Sequence, residues 1–151
     1  MYTKIVGTGS YLPKKVLTND DIAQLVDTND EWIRERTGIQ SRHIVEDETT
    51  VTMASMAAKD ALENANLQPE DIDLIIVATV SADNLLPSTA CSVQKELGAV
   101  NATAFDINAA CSGFLFALNT ADAYIKTGMY KNALLIGVET LSKIVDWNDR
   151  G

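Results

Sequence analysis

The stretch from Leu74 to Val80 constrains the fold more than any other part of the sequence. It reads Leu-Ile-Ile-Val-Ala-Thr-Val, so apolar side chains occupy odd and even positions alike. A strand with one face in water alternates apolar with polar residues, whereas a strand covered on both faces is apolar throughout. We therefore expect a central strand between two other layers.

Patterns typical of helices and strands alternate around this run. Thr50–Ala65 has apolar residues every three or four positions, mostly alanine, which predicts a helix with a closely packed face. Further helices are predicted over Ser88–Leu97 and from about Cys111 to Thr127, and further strands near Ala102–Ile107 and Ala133–Val138. The alternation predicts an α/β fold: a mostly parallel sheet with helices on both faces and chemistry at the carboxyl ends of its strands.

The first fifty residues predict shorter elements. Tyr2–Gly7 is a β-prone run that we expect to form an opening strand. Asp21–Val26 and Glu31–Arg36 predict two short helices. Each helix is preceded by residues suited to cap it, and the second one ends at Gly38.

Charge and hydropathy argue against several classes of protein. Twenty-one acidic against twelve basic residues give its 151 residues a net charge of −9, and no run of lysine or arginine interrupts that field. Nucleic acid is therefore not expected as a partner. No segment approaches the ~20 apolar residues of a membrane helix, and the N-terminus lacks a signal-peptide pattern. We expect one cytoplasmic domain with no membrane contact.

Cys111 is the strongest candidate for a nucleophile. It lies within Asp106–Phe114, where a strand gives way through small residues to an apolar helix. In the first turn of a helix, the macrodipole and free backbone N–H groups favour the thiolate, and the same amides can bind a developing oxyanion. The small neighbours leave room for a bulky ligand. The alternative, a buried cysteine acting as a small apolar side chain, stays open on the residues alone.

The remaining cysteine and the histidine predict less. Cys91 falls within an amphipathic helix and is interpreted as a small apolar side chain. His43 is the only histidine, and no partner can be placed beside it, so we expect a structural or exposed residue rather than a base. Two cysteines and one histidine cannot supply four zinc ligands, and no metal site is expected.

Trp32 and Arg36 are four residues apart and share one face of the predicted second helix. A ring and a guanidinium could hold a nucleotide by stacking and phosphate contact. Surface packing explains the same spacing and is preferred on the residues alone. Gly7-Thr8-Gly9 does not continue into a dinucleotide-binding motif, because Leu12 stands where the third glycine should be.

Taken together, these segments resemble the β-ketoacyl-acyl carrier protein synthase III family in register from Met1 to Gly151. The segments that carry the resemblance are Lys4–Pro13, Asp27–Ile33, Arg36–Ile39, Arg42–Ile44, Ala104–Ile107, Ala109–Phe114 and Asp149–Gly151. The resemblance implies a thiolase-like fold with two pseudo-symmetric halves. Residues 1–151 would be the N-terminal half carrying the nucleophile, and the C-terminal half would be absent from this chain.

The resemblance also implies an activity. Cys111 would be acylated by an acyl-CoA starter, and the acyl-enzyme would condense with malonyl-acyl carrier protein, losing carbon dioxide and giving a 3-oxoacyl-acyl carrier protein. This reaction starts type II fatty acid synthesis. Coenzyme A would enter as a thioester substrate, and no cofactor is implied. The family's catalytic histidine and asparagine belong to its second half, so the fragment alone should not complete a condensation.

Further residue roles are implied in the same way. Trp32 would stack on the adenine of coenzyme A, with Thr28, Arg36, Arg150 and Gly151 holding the nucleotide end. The homodimer typical of the family would place Leu86 at the border of the partner subunit's acyl pocket. That position is often phenylalanine in the family, and a smaller leucine there could admit longer or branched starters.

Two alternatives remain beside this interpretation. Another thiolase-fold condensing enzyme, such as a hydroxymethylglutaryl-CoA synthase or a plant-type polyketide synthase, would match the fold but fits the segment around Trp32 and Arg36 less well. The second alternative is a module that binds coenzyme A or a partner protein without catalysing a reaction. Whichever holds, a lone half should expose apolar surface where the second half packs.

Overall fold

The computed structural model describes residues 2–150. Its elements, in chain order, are β1 (Lys15–Thr18), α1 (Asn19–Ala23), α2 (Asp30–Thr37), β2 (Ser41–Ile44), α3 (Thr50–Ala65), β3 (Leu74–Ala78), α4 (Thr89–Leu97), β4 (Thr103–Ile107), α5 (Gly113–Lys126) and β5 (Ala133–Gly137). Short 3-10 helices cover Pro69–Asp71, Ala110–Ser112 and Leu141–Lys143.

The chain divides into two compact units. The first contains the residues up to Tyr11 together with Thr49–Glu139. The second contains Leu12–Glu48 together with the residues from Thr140 onward. The predicted alternation of helices and strands falls in the first unit.

The centre of the first unit is β3, in a parallel sheet of order β4-β3-β5. Ile76 of β3 lies opposite Phe105 on one side and Leu135 on the other. Every residue of β3 is buried, and Leu74 to Val77 expose no surface. The sequence prediction of a strand covered on both faces is therefore confirmed, although the strand ends at Ala78, two residues early.

Helices cover both faces of this sheet. The connection from β3 to β4 through α4 and that from β4 to β5 through α5 cross the sheet in opposite directions. Parallel crossovers are right-handed, so the two helices lie on opposite faces. Helix α3 packs against α4 and shares its face. The predicted three-layer, mostly parallel α/β architecture is confirmed.

Helix α3 spans the residues that the sequence predicts and has the small-residue face expected of it. Ala54 and Ala58 are buried with 0% and 1% of their surface exposed. Thr49 caps the first turn, and the Asp83 carboxylate accepts the N–H groups of Thr50 (3.0 Å) and Val51 (2.9 Å). These bonds satisfy amides that a helix start leaves without partners.

The second unit is organised by one buried amide. Asn19 exposes 1% of its surface; its Nδ2 donates to Asp30 Oδ1 and to the carbonyl of Ile39, both at 2.8 Å. Its Oδ1 accepts from Arg42 Nη2 at 2.7 Å. The side chain thus joins α1, α2 and β2, and β2 pairs with β1 in an antiparallel ladder. Strand β1 was missed by the sequence analysis, since four residues carry too short a pattern.

The opening segment differs from its prediction. Within the described residues, Tyr2–Gly7 pairs with no strand. It runs along α3 instead, where the Thr8 N–H donates to Asn64 Oδ1 (3.3 Å) and the Ser10 N–H to Asp60 Oδ2 (2.8 Å). A β-prone sequence becomes a strand only where a neighbouring chain offers a ladder.

Apolar surface is exposed on the first unit, as the sequence analysis predicts for a lone half. Leu85 and Leu86 expose 97% and 87% of their surface. The first turn of α5 adds three large side chains, Phe114, Leu115 and Phe116, each about half exposed. None of the helices in the described part of the chain has the length and hydropathy needed to cross a bilayer.

The substitution Leu74→Ala tests whether β3 is the centre of the core. It removes a fully buried side chain, so we expect the free energy of unfolding to fall by about 2–5 kcal/mol. The matched control Leu85→Ala acts on an almost fully exposed leucine and should cost less than about 0.5 kcal/mol. Urea unfolding followed by circular dichroism measures both, and equal losses would contradict the assignment of the core.

Candidate active site

The carboxyl ends of the three parallel strands are tied together by main-chain and carboxylate contacts. The Thr79 N–H donates to the Ile107 carbonyl at 3.1 Å, and the Val138 N–H to that of Ala78 at 3.2 Å. The Glu139 carboxylate accepts the Val80 N–H at 3.0 Å and the Ser81 hydroxyl in a short contact. This edge is where the α/β pattern predicts chemistry.

Cys111 lies at this edge, just beyond the end of β4. It occupies the short 3-10 helix Ala110–Ser112, and its side chain is exposed. Ala110 has a left-handed backbone, with φ of 46°, which costs a residue with a Cβ and recurs at functional turns. Cys111 is therefore not buried within this chain, and its role as a nucleophile stays a prediction.

The local geometry corrects one detail of the prediction. Helix α5 begins at Gly113 rather than at Cys111, because the left-handed Ala110 interrupts the helical path just before it. Cys111 therefore sits in the turn that leads into the helix. A Cβ built on Gly113 would lie 3.0 Å from the Ala78 Cβ, so glycine lets the helix start pack directly against β3.

The backbone amides around the sulfur are unequally available. The Ser112 N–H donates to the Ala109 carbonyl at 3.1 Å, and the Gly113 N–H donates to that of Ala110. Within residues 2–150, the Cys111 N–H itself donates to none of the hydrogen bonds found. Of these three amides, the one beside the sulfur is left to receive a developing negative charge.

The second unit holds the residues predicted to contact a nucleotide. Trp32 lies on α2 and is 38% exposed. The Arg36 guanidinium carbon is 4.5 Å from the centre of its ring, and that of Arg150 is 4.9 Å from it. Residues far apart in sequence thus meet at one aromatic ring, and Arg150 adds to the helical neighbours Trp32 and Arg36.

The predicted set also includes Thr28, and Arg150 has a second neighbour. The Thr28 hydroxyl oxygen is buried and makes no hydrogen bond within the described residues. Arg150 lies 4.0 Å from the Asp27 carboxylate, a loose and exposed ion pair. Gly151, also predicted to hold the nucleotide, lies outside the described residues.

The other singled-out residues have ordinary surroundings. Leu86 precedes Pro87 in an exposed loop and stays a prediction as a pocket residue. His43 Nδ1 is 2.6 Å from the Pro13 carbonyl, in keeping with a structural role. Cys91 lies on α4 as predicted but is exposed rather than buried. Among residues 2–150, no three His, Cys, Asp or Glu side chains form a group suited to a metal ion.

The sequence analysis missed two polar residues that organise these sites. Glu139 ties the strand ends at the edge where Cys111 lies, and Asn19 fixes the start of α2, which carries Trp32. The hydrogen bond from Asn19, with a smaller contribution from Arg34, lowers the pKa of Asp30 below its usual range. Neither hydrogen bond joins residues that are close in sequence, so no spacing pattern predicts it.

Comparisons with known proteins add to this geometry. Residues 105–151 match the family model of 3-oxoacyl-[acyl-carrier-protein (ACP)] synthase III. Over 98% of its length, the chain is 58% identical to a β-ketoacyl-[acyl-carrier-protein] synthase III of Clostridium acetobutylicum, of which it covers 46%. The crystal structure of a 3-oxoacyl-[acyl-carrier-protein] synthase III from Aquifex aeolicus superimposes with a TM-score of 0.96 at 59% identity, covering 98% of this chain and 48% of that one.

In sequence and in fold, the chain matches about half of a β-ketoacyl-[acyl-carrier-protein] synthase III. The resemblance and the thiolase-like fold class are thereby confirmed. The chain spans slightly less than half the length of the relatives it matches. The priming β-ketosynthase of the R1128 polyketide pathway has the same fold, with a TM-score of 0.96 at 37% identity over 99% of this chain and 45% of that one.

The substitution Asn19→Ala tests the role of the buried amide. Removing the largest cause of the lowered Asp30 pKa should raise that pKa toward its ordinary value. A carboxyl whose pKa is depressed by folding adds stability above its ordinary pKa, and this contribution is lost as pH falls through the depressed value. The variant should lose that part of the pH dependence. A carboxyl-detected NMR titration measures the pKa directly.

The matched control for this experiment is Asn148→Ala, because Asn148 is exposed and contacts only its own turn in the contacts found. It should leave the Asp30 titration unchanged. An unaltered Asp30 pKa in Asn19→Ala, with the far-ultraviolet circular dichroism preserved, would contradict the assigned cause.

Proposed function

We propose that the protein to which this chain belongs transfers an acyl group from coenzyme A to Cys111 and then condenses it with malonyl-acyl carrier protein. The observation that carries this proposal is the exposed cysteine in a strained turn at the carboxyl edge of a parallel sheet. The sequence and fold similarity to β-ketoacyl-[acyl-carrier-protein] synthase III supports it. The product would be a 3-oxoacyl-acyl carrier protein, which starts fatty acid synthesis.

In the first step, the Cys111 thiolate attacks the thioester carbonyl of the acyl-CoA. The carbon–sulfur bond to coenzyme A breaks, and the departing thiolate takes up a proton. The tetrahedral intermediate carries a negative oxygen, and the Cys111 N–H is the amide left to donate to it. The covalent acyl-cysteine divides a difficult carbon–carbon bond formation into two steps.

The second step needs catalytic groups besides Cys111 and the turn that carries it. Decarboxylation of the malonyl thioester leaves an enolate, which attacks the acyl carbonyl and releases the Cys111 thiolate. An enolate must be stabilised by hydrogen-bond donors aimed at its oxygen. The histidine and asparagine that the resemblance implies for this purpose match no residue in 1–151. The isolated chain should accept an acyl group without completing condensation.

The second unit would hold the nucleotide end of coenzyme A. Adenine would stack at the Trp32 ring, where Arg36 and Arg150 already lie, and the guanidinium groups would contact its phosphates. The unpartnered Thr28 hydroxyl is free to donate to a phosphate oxygen. Gly151 would complete this set. Coenzyme A acts here as a substrate carrier, and no separate cofactor is proposed.

The remaining proposals concern the whole protein. It would act in the cytoplasm as a homodimer in which Leu86, almost fully exposed in the single chain, borders the partner subunit's acyl pocket. A net charge of −9 does not favour docking of an acidic carrier protein on these 151 residues. The carrier protein would therefore bind mainly to the part of the protein outside them.

Incubation with acyl-CoA tests the nucleophile. We expect mass spectrometry to find the acyl group on the peptide containing Cys111, and Cys111→Ser to abolish it. The matched control Cys91→Ser removes the other exposed cysteine and should leave labelling intact. Acetyl- and isobutyryl-CoA in parallel probe the Leu86 proposal, against which a strict acetyl preference would count. Coenzyme A binding with an unmodified Cys111 would favour a non-catalytic binding module.

Coenzyme A binding tests the nucleotide site through two arginines of the same helix. Arg36→Ala removes a guanidinium beside the Trp32 ring and should weaken binding about fivefold to thirtyfold. Arg34→Ala removes a guanidinium that pairs with Asp30 and should change the Kd for coenzyme A less than about twofold. Isothermal titration calorimetry measures both, and equal effects would contradict a specific role for Arg36.

A further inference from the structure

The turn that carries Cys111, defined here as residues 108–112, joins β4 to α5. It contains Ala110, whose left-handed backbone has a φ of 46°. An alanine in this conformation is strained and persists only where the surrounding structure holds it. The 3-10 helix Ala110–Ser112 is a single short turn, and such turns add little stability of their own. The residues on either side of the turn must therefore support it.

Both ends of this turn lie against the end of β3. Before the turn, the Ile107 carbonyl accepts the Thr79 N–H at 3.1 Å. After the turn, Gly113 packs so closely that a Cβ built on it would lie 3.0 Å from the Ala78 Cβ. The same Cβ would lie 3.9 Å from the Ile107 carbonyl oxygen. Ala78 and Thr79 thus contact the residues that flank the turn, and the shape of the turn depends on where these two residues lie.

One carboxylate holds the segment that follows β3, defined here as residues 79–81. Glu139 Oε1 accepts the Val80 N–H at 3.0 Å. Glu139 Oε2 accepts the Ser81 hydroxyl in a short contact and the Thr79 hydroxyl at 3.5 Å. Thr79 Oγ1 accepts the Ser81 N–H at 3.2 Å, which closes the network. Hydrogen bonds to an ionised acceptor are stronger than those between neutral groups, so this carboxylate binds three consecutive residues firmly.

The position of Glu139 is fixed by the sheet. The preceding residue, Val138, is buried, and its N–H donates to the Ala78 carbonyl at 3.2 Å. Glu139 itself is half-buried, and Thr79 is 5% exposed. A satisfied polar network that is partly shielded from water makes its surroundings rigid. Because the carboxylate already accepts three hydrogen bonds, it is suited to hold neighbouring residues rather than to exchange protons.

We propose that Glu139 is a positioning residue for Cys111. Its carboxylate holds residues 79–81, the end of β3 supports both sides of the turn, and the turn presents the Cys111 sulfur and N–H at the carboxyl edge of the sheet. Glu139 acts through these residues and not on the acyl group. A displacement of about 1 Å can slow a reaction about a hundredfold, so this support matters for the rate. The inference rests on the proposed acyl transfer, in which it gives Glu139 a part.

Hydrogen exchange in the variant Glu139→Ala tests the support of the turn without any acyl group. We expect the amides of Ser112 and Gly113 to exchange at least about tenfold faster relative to the amide of Ile76. Ile76 lies in the fully buried part of β3 and reports opening of the whole core. A general loss of stability would speed its exchange at least as much as that of the turn. An unchanged ratio of turn to core exchange would overturn the proposal.

Single-turnover acylation, followed by quenched flow and mass spectrometry, tests the consequence for the reaction. At saturating acyl-CoA, we expect Glu139→Ala to acylate Cys111 about tenfold to a hundredfold more slowly than the unaltered chain. Its Kd for coenzyme A should change less than about twofold. Arg36→Ala should show the opposite split, with a raised Kd and an unchanged saturating rate. Equal saturating rates in Glu139→Ala and the unaltered chain would contradict the positioning role.

Two further glutamate variants serve as the rescue and the control. Glu139→Gln keeps an oxygen that can accept the Val80 N–H and adds an amide that can donate to the Ser81 hydroxyl oxygen. Its saturating rate should therefore stay within about threefold of that of the unaltered chain. Glu96→Ala removes an exposed glutamate of α4 and should change neither the rate nor the exchange ratio. Equal losses in Glu139→Gln and Glu139→Ala would show that hydrogen bonding to residues 79–81 is not the cause.

The positioning role and the proposed function can fail separately. If the unaltered chain takes up no acyl group, the proposed function is wrong, and hydrogen exchange alone decides whether Glu139 supports the turn. If the unaltered chain is acylated and Glu139→Ala matches its rate, only the positioning role is wrong. If Glu139→Ala does not fold, Ser81→Ala replaces it, because it removes one donor from the carboxylate. That variant should slow acylation at least about threefold, and an unchanged rate would refute the role of Glu139.

Discussion

The rest of the structure depends on the complete burial of β3. Its residues expose almost no surface, because β4 and β5 occupy both edges and helices occupy both faces. The crossovers that follow must run in opposite directions and on opposite faces. This arrangement brings the carboxyl ends of three strands together, and the turn that carries Cys111 emerges at that edge.

Several acidic residues of the chain stabilise the starts of its helices. The Asp83 carboxylate accepts N–H groups at the start of α3, and that of Asp106 accepts those of Thr89 (2.8 Å) and Ala90 (2.7 Å) at the start of α4. Negative charge is favourable at these positive helix ends. Part of the net charge of −9 is therefore explained by the fold rather than by a partner.

The two candidate sites differ in how they are built. The Cys111 site depends on local geometry: a left-handed alanine, a short turn and a glycine that brings α5 against β3. The Trp32 site depends on a contact between residues distant in sequence, since Arg150 comes from the other end of the chain.

The sequence by itself determined the helices and strands of the first unit from Thr50 onward and singled out Cys111 as a candidate nucleophile. Leu74–Ala78, Thr50–Ala65 and the helix that starts near Cys111 follow from patterns within single segments, because periodicity and capping act over a few residues. Only the tertiary structure decided which edges are free. Tyr2–Gly7 has a β-prone sequence without a neighbour to pair with, and Glu139 and Asn19 find partners that lie far along the chain or beyond a turn. Hydrogen-bond partners distant in sequence leave no spacing pattern, so they are fixed only when the chain has folded.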